Sequence, residues 1–406
     1  EAPFLLFVLI AASHQIETDR QLKISRCLGY TSSETWLFVL LPQLYRRVRL
    51  PMLIVIAYGV TNAEIALVLG PTSPPTLTLL ILEWFRDPDL SKRLIGAAGA
   101  VLAIGLVCAC IAAWLVVEYL AGCARQYLVN AGRAGVLASI GRGVGWLAAI
   151  LVFGLGVLAL IVLVLWSFAH HWRFPEAWPQ QLSLQIWARA GDDIVGASMT
   201  TLGIGLIASL VALILAVLSF EHMLARTESR QWQHPLGIAA LSIPLLVPQI
   251  SFVFGLQLAM IKLGLDGGWL GVILVHLLFV IPYIVLILFD PYRMLDPRLT
   301  RTARSLGHGP WTVFWRIKLP LLARPLAFAW AIGFSVSCAQ YLTTLFVGQG
   351  RVVTLSLEAL ALMGGGDRRL TAVMALLLAV LPLLGFVLAA IAPRLLWPRL
   401  AASRLA

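Results

Sequence analysis

Charged side chains are scarce: Asp, Glu, Lys and Arg make up 12% of the 406 residues, against 60% hydrophobic. A soluble domain carries about 25% charged residues, so an ordinary water-facing surface is excluded and the chain reads as a multi-span membrane protein. Acidic residues are the rarest, 19 against 30 Lys plus Arg, for a formal net charge of +11. That excess does not point to nucleic acid, which needs a solvated basic face in polar surroundings. Cysteines number five, Cys27, Cys108, Cys110, Cys123 and Cys338, and none lies in a predicted outer loop, which excludes a disulfide framework. Cys108 and Cys110 sit in an apolar run with no His or second Cys pair to complete a metal site. Nucleotide-binding signatures are missing as well. Gly141-Arg142-Gly143-Val144-Gly145 follows no strand and reads as a flexible juxtamembrane segment, and no phosphate loop ending in Gly-Lys-Ser/Thr occurs.

What the chain has is long apolar runs. Those at 50–69, 94–117, 146–168, 196–220, 235–263, 269–290, 324–347 and 371–393 each reach the ~20 residues that a bilayer-crossing helix needs. A shorter run at 2–12 reads as the end of one more. The expectation is an all-α polytopic protein with about nine transmembrane helices. Of the 30 Lys and Arg, 21 fall in 13–49, 118–145, 221–234, 291–324 and 394–406, which the positive-inside rule places in the cytoplasm with the C-terminus. The opposite loop 169–195 holds Trp172, Phe174, Trp178 and Trp187, as an interfacial belt does, and His170-His171 reads as part of it rather than as a metal site.

The stretch Arg304-Ser305-Leu306-Gly307, nine further residues, then Ile317-Lys318-Leu319-Pro320, lies between two apolar runs. Arg26-Cys27-Leu28-Gly29, nine residues, then Val39-Leu40-Leu41-Pro42 repeats it at an offset of 278. The register continues without a gap through Leu44 and Leu322, Arg46 and Arg324, Ile54 and Ile332, and Gly70 and Gly348. Thr76-Leu77-Thr78-Leu79 then matches Thr354-Leu355-Ser356-Leu357. A register kept through Gly, Arg and Thr positions is an internal duplication. It divides the chain into a first repeat (1–117), a cytoplasmic linker (118–145) and a second repeat (146–406). The first repeat has 28 residues before its loop glycine where the second has about 160. The expectation is therefore an N-terminally incomplete first repeat, with about three helices absent. Glu1-Ala2-Pro3 offers no basic start for a signal peptide.

A glycine, nine residues, then Ile-x-Leu-Pro resembles the "EAA" loop of binding-protein-dependent ABC importer permeases. Two copies in one chain are similar to the fused permeases of the thiamine, ferric-iron, polyamine and sulfate type. The sequence departs from the family where Lys23-Ile24-Ser25 and Arg301-Thr302-Ala303 replace Glu-Ala-Ala. The resemblance implies two tandem repeats of the type I permease fold, and a short loop helix seated on each subunit of a cytoplasmic ABC ATPase dimer. It further implies a periplasmic solute-binding protein that delivers a small solute, and transport from periplasm to cytoplasm across a bacterial inner membrane. No cofactor is bound by this chain on that reading, since ATP and Mg belong to the ATPase.

The loop's own chemistry fits a rigid device. Gly29 and Gly307 suit a left-handed helix end. The next helix starts with Thr31 and Glu34 as a capping box in one copy and with Gly309-Pro310 in the other. That helix is expected to end near Leu41-Pro42 and Leu319-Pro320. It presents Trp36, Leu37 and Val39, or Trp311, Phe314, Trp315 and Ile317. The coupling residues are thus Gly29, Trp36, Val39, Leu41 and Pro42, with Ala303, Gly307, Phe314, Ile317, Leu319 and Pro320. Arg46 and Arg324 read as inner-leaflet anchors.

Candidate pathway residues come from breaks and polar groups inside spans. Ile243-Pro244-Leu245-Leu246-Val247-Pro248-Gln249 interrupts an apolar run, as transporter helices do near midplane sites, which singles out Pro248, Gln249 and Ser251. Asn62 and Gln340 match at the 278 offset, with Glu64 near the first and Ser337 and Tyr341 near the second. Interhelical hydrogen bonding and function are both open for Asn62 and Gln340. An ion-coupled secondary transporter is the alternative, but it calls for several acidic or His residues in spans, and Glu64 stands nearly alone. A non-functional permease remnant is another alternative. An intramembrane enzyme would need a partner for His276, and the sequence offers none.

Overall fold

The computed structural model describes residues 5–6, 8–9, 13, 16–71, 73–130, 134–172, 176–226, 244–245, 247–363 and 367–396. Among the described residues every extended element is a helix, and β pairing is limited to a bridge between Ala169 and Leu182. The chain forms two compact units, Glu1–Val162 with Leu245–Ser251 and Leu163–Pro244 with Phe252–Ala406.

The first unit runs α1 (Thr18–Cys27), α2 (Ser32–Glu34), a π-helical stretch (Thr35–Leu40), α3 (Leu41–Thr61), α4 (Ala63–Leu69), α5 (Leu77–Arg86) and α6 (Leu90–Asn130). Helix α7 (Ala134–Phe168) follows. The second unit contains α8 (Gln185–Arg189), α9 (Gly191–Arg226), most of α10 (Gln249–Lys262) and α11 (Trp269–Arg293). It continues with α12 (Pro297–Ser305), α13 (Pro310–Val313), a π stretch (Phe314–Lys318), α14 (Leu319–Ala339), α15 (Leu342–Gly348), α16 (Leu355–Met363) and α17 (Arg368–Leu396). Shifted back by 278, Leu319–Ala339 falls on Leu41–Thr61 at both ends, and α12, α13 and α15 to α17 start within a residue of α1, α2 and α4 to α6.

Six helices among the described residues are long and apolar enough to cross a membrane, or seven if the pair Ser32–Thr61 and Ala63–Leu69, bent by 45°, counts as one span. Several boundaries differ from the sequence reading. The run at 324–347 is not one helix: it breaks after Ala339, and α15 restarts at Leu342. The run at 50–69 breaks likewise at Asn62. Most of the 118–145 linker is helical, because α6 continues to Asn130 and α7 takes in Gly141 to Gly145; these glycines lower helix propensity without breaking the run. Within 235–263 the described helix is Gln249–Lys262. Residues 235–243 (with Ile243), Leu246, most of the run at 2–12, Arg133, Phe174, Arg399 and Arg404 carried expectations that lie outside the described residues.

The second unit is organised around a stripe on α9. Ala197, Thr201, Ile204, Ala208, Ala212, Ala216 and Phe220 recur every three or four residues and all are buried, so one face of the helix meets its neighbours along its length. Small residues let helix backbones approach, the usual means of packing where lipid removes the hydrophobic drive. A Cβ added to Gly205 of α9 would lie 2.9 Å from the Phe334 ring of α14, and one on Gly333 would lie 2.6 Å from Ile284 of α11. At one end, Ala216, Phe220, Leu288, Tyr292, Leu322 and Leu326 join α9, α11 and α14 in a common core. In the first unit Gly96 and Gly99 of α6 do the same against Phe85, Ile81 and Trp84 of α5. The span Gly143–Phe168 buries none of its most apolar window; a helix apolar all round and exposed suits contact with lipid.

Candidate functional site

Each repeated loop begins with a helix closed by a glycine in left-handed backbone, Gly29 at φ +88° and Gly307 at φ +83°. The Gly29 amide donates to Arg26 O (3.1 Å) and the Tyr30 amide to Ser25 O (3.0 Å). In the second copy, Gly307 donates to Arg304 O (3.0 Å) and His308 to Ala303 O (3.1 Å). These paired bonds are the Schellman closure, which satisfies carbonyls that the helix end leaves free. Ser25 and Ala303, the receiving positions, are both buried. A small residue is therefore favoured at the last position of the family's Glu-Ala-Ala.

The second helix of each loop starts from the same backbone by different means. Thr31 sits at φ −69°, ψ 161° and Gly309 at φ −68°, ψ 162°. Thr31 Oγ1 accepts from the Glu34 amide (3.3 Å) while Glu34 Oε2 accepts from the Thr31 amide (2.7 Å), a full capping box. Pro310 takes the first helical position, where its missing N–H is no loss.

The helix does not end at the prolines, contrary to expectation. It widens into π turns at Thr35–Leu40 and Phe314–Lys318 and then continues as α3 and α14. A proline inside a helix lacks the donor for the carbonyl four residues back and crowds it. For Pro42 that carbonyl is Phe38 O, and Arg125 from α6 donates to it at 3.0 Å. Around this frame Trp36, Leu41, Trp311 and Trp315 remain exposed, at 45%, 47%, 73% and 48%. Val39, Pro42, Phe314, Ile317, Leu319 and Pro320 are half-buried, while Phe38, Leu40 and Val313 turn inward. Each loop therefore offers large apolar side chains from a capped, internally packed support.

The helix breaks at Asn62 and Gln340 share one geometry, φ −69°, ψ 105° and φ −72°, ψ 109°. Asn62 Oδ1 caps α4 by accepting from the Ile65 amide at 2.8 Å, and half-buried Glu64 lies in its first turn. At Gln340 the second unit gathers a buried polar network. Thr343 Oγ1 donates to Gln340 Oε1 (2.7 Å), and the Gln340 carbonyl accepts from Thr344 Oγ1 (3.0 Å) and Ser356 Oγ (3.2 Å). His276 of α11 closes it, with Nδ1 at 2.8 Å from Ser337 Oγ and Nε2 at 3.0 Å from Thr344 Oγ1. Since Thr344 spends its proton on Gln340 O, the set is satisfied when Ser337 donates to Nδ1 and His276 carries its proton on Nε2. Thr201 of α9 joins by accepting from the Leu355 amide at 2.9 Å.

Ser337 and Gln340 thus meet in one cluster, with Tyr341 buried beside them in sequence. His276, which the sequence left without a partner, has two hydroxyls. Thr201, Thr343, Thr344, Thr354 and Ser356 were not singled out, although Thr354 and Ser356 belong to the duplicated Thr-Leu-Thr/Ser-Leu segment. Pro248, Gln249 and Ser251 lie in the first unit, where Ser251 Oγ donates to Ala100 O at 2.9 Å and Pro248 is buried. Among the described residues, no group of three or more His, Cys, Asp or Glu is placed to hold a metal.

A profile for the family described as "Binding-protein-dependent transport system inner membrane component" matches residues 208–401, which include the second loop and the Gln340 network apart from Thr201. The inner membrane ABC transporter permease protein YnjC of Escherichia coli is 30% identical over 393 residues, covering 96% of this chain and 70% of that protein. A spermidine/putrescine transport system permease protein PotC homolog of Mycoplasma genitalium is 28% identical over 183 residues, 44% of this chain, which spans under two thirds (64%) of that relative. The putrescine transport system permease protein PotI of Escherichia coli is 25% identical over 255 residues, 60% of this chain and 89% of the relative. With its helices, its two glycine-closed loops and this similarity along nearly its whole length, the chain belongs to the inner membrane components of binding-protein-dependent transport systems and is an ABC transporter permease.

Proposed function

We propose that this permease carries a small solute from periplasm to cytoplasm, driven by a separate cytoplasmic ATPase dimer that seats one subunit on each repeated loop. The observation that carries the reading is the pair of loops: two sequences unlike in detail reach the same left-handed closure, the same cap geometry and a π turn, and both leave tryptophans exposed. Exposed aromatics on a rigid frame suit insertion into a partner's groove. The proposal keeps the repeats at 1–117 and 146–406 around the segment 118–145, with the loops and the C-terminus in the cytoplasm. ATP and Mg reside on the partner, and a periplasmic binding protein delivers the solute.

In the cycle this implies, ATP closes the dimer, the loops follow, and the helices holding the breaks at Asn62 and Gln340 rearrange to turn the cavity outward. Hydrolysis resets them. Asn62, Glu64, Pro248, Gln249, Ser251, Ser337, Gln340 and Tyr341 are the residues proposed to line or shape the path.

The test is purification of the tagged permease from native membranes, with stoichiometric partners identified by mass spectrometry. An ATPase of the P-loop class, recovered with the native chain and lost on altering Gly307 and Pro320, is the expected result. Recovery of a folded permease with no ATPase would refute the proposal, and uptake that collapses with the proton gradient instead of with ATP would favour ion coupling.

A further inference from the structure

The second loop is tied to its own unit by a half-buried ion pair. Lys318, the last residue of the π stretch, places Nζ 2.6 Å from Glu221 Oε2 near the end of α9, with the side chains 12% and 25% exposed. The surroundings are apolar: Phe220 stacks on Tyr292 at 4.7 Å, and Leu322 and Leu326 complete the wall. Among the described residues, Glu221 Oε1 and the Tyr292 hydroxyl are buried without a hydrogen-bond partner. Removing one partner of such a pair leaves the other charge partly buried and uncompensated. The first copy has Leu40 at the position of Lys318, and that leucine is buried. The tie therefore belongs to the second loop.

Helix α9 leads from this pair to the polar network. It is continuous from Glu221 back to Thr201, about 30 Å at 1.5 Å per residue. Thr201 Oγ1 holds the Leu355 amide at the head of α16, and the adjacent Ser356 holds the Gln340 carbonyl. Between the two ends, Gly205 admits α14 so closely that an added Cβ would lie 3.4 Å from Cys338 Sγ. Close-packed helices move as bodies rather than deform.

We infer that Lys318 and Glu221 are positioning residues that fasten the second loop to α9, so that a displacement of this loop, which α14 carries to the break at Gln340, also reaches Thr201 and the Ser356 side of the network through α9. The inference rests on the proposed docking of an ATPase on the loops. It makes the two loops unequal: the second acts on α9 through charge, and the first does not.

Cys338 provides the reporter, because it is buried at the contact between α9 and α14. In the permease–ATPase complex from native membranes, with Cys27, Cys108, Cys110 and Cys123 changed to Ser, the rate of Cys338 modification by N-ethylmaleimide is measured with and without ATP and vanadate. The native pair should give a rate change of about tenfold, within the usual range of coupling between sites. Lys318→Glu and Glu221→Lys should each abolish that response with the ATPase still bound, and the double exchange should restore it. Lys318→Met with Glu221→Gln, which keeps volume and removes both charges, should also lose the response. A full response in Lys318→Glu or in the neutral pair, or no restoration in a folded double exchange, overturns the inference. Failure of the native chain to recover any ATPase instead refutes the docking itself, with which the inference falls.

Discussion

Replacing Gly307 isolates one physical cost. Its φ is +83°, and a Cβ built there meets nothing within 4 Å, so the penalty comes from backbone conformation and not from a clash. Holding an L side chain in left-handed backbone costs about 1–2 kcal/mol, with β-branched residues at the upper end and Asn much better tolerated. The closure cannot relax cheaply, because the bonds from Gly307 to Arg304 O and from His308 to Ala303 O need that φ. Gly307→Val should therefore weaken the closure by about 2 kcal/mol, which is about 30-fold in its opening equilibrium, and Gly307→Asn by a few-fold at most. Hydrogen exchange of the His308 amide reads the effect directly. Gly29 has φ +88° and the same empty surroundings, so Gly29→Val should act alike at Tyr30, and the two costs should add at this separation. The double Val variant should insert into membranes yet fail to couple ATP hydrolysis to transport. Equal exchange in the Val and Asn variants, or none accelerated in Val, would refute a conformational role for these glycines. Full transport by the double variant would refute their role in coupling.

Gly333→Val forces atoms into Ile284, 2.6 Å from the first added carbon, and should cost about 1–3 kcal/mol of stability, seen as a lower melting temperature in detergent. Gly59→Ala, where an added Cβ meets nothing within 4 Å, is the matched control and should melt no lower than the native chain, since Ala favours the helix interior over Gly. His276→Phe leaves the buried Ser337 hydroxyl without its acceptor and takes one of two partners from Thr344, which keeps its bond to Gln340 O, and should cost about 1–3 kcal/mol; the double change with Ser337→Ala should recover part of that loss, and strict additivity would argue against a network. Asp367 lies just before α17, where the Arg369 side chain beside it holds its carboxyl below the usual 3.8. A lowered folded value stabilises the fold above the unfolded pKa, and the contribution fades as pH falls through the folded one. Asp367→Asn should therefore flatten the acid side of the stability–pH curve while leaving the shape above neutrality unchanged.

Much of the loop chemistry was legible because its interactions are local. A capping box joins residues three apart, and a Schellman closure joins neighbours within one turn, so Thr31 with Glu34, Gly309 with Pro310, and both glycines declare their geometry in the sequence. The helix end expected at Pro42 was misplaced for the opposite reason. Whether a proline stops a helix depends on who satisfies the carbonyl it orphans, and for Phe38 O that partner is Arg125, 87 residues away. The linker glycines likewise resembled a flexible segment, yet helix propensity is a weak prior and α7 runs through them.

The sequence by itself determined the class of the protein, its long apolar runs, the matching residues at an offset of 278 and the positions of the two loops. These follow from composition, period and spacing, which act along the chain. Only the tertiary structure decided that the breaks at Asn62 and Gln340 have one backbone geometry, that His276 meets Ser337 and Thr344, and that Lys318 meets Glu221. Those pairs are 61, 68 and 97 residues apart. An apolar run records how far a helix can extend through a membrane, but a polar residue within it gains a role only when packing against another helix brings its partner into hydrogen-bond reach.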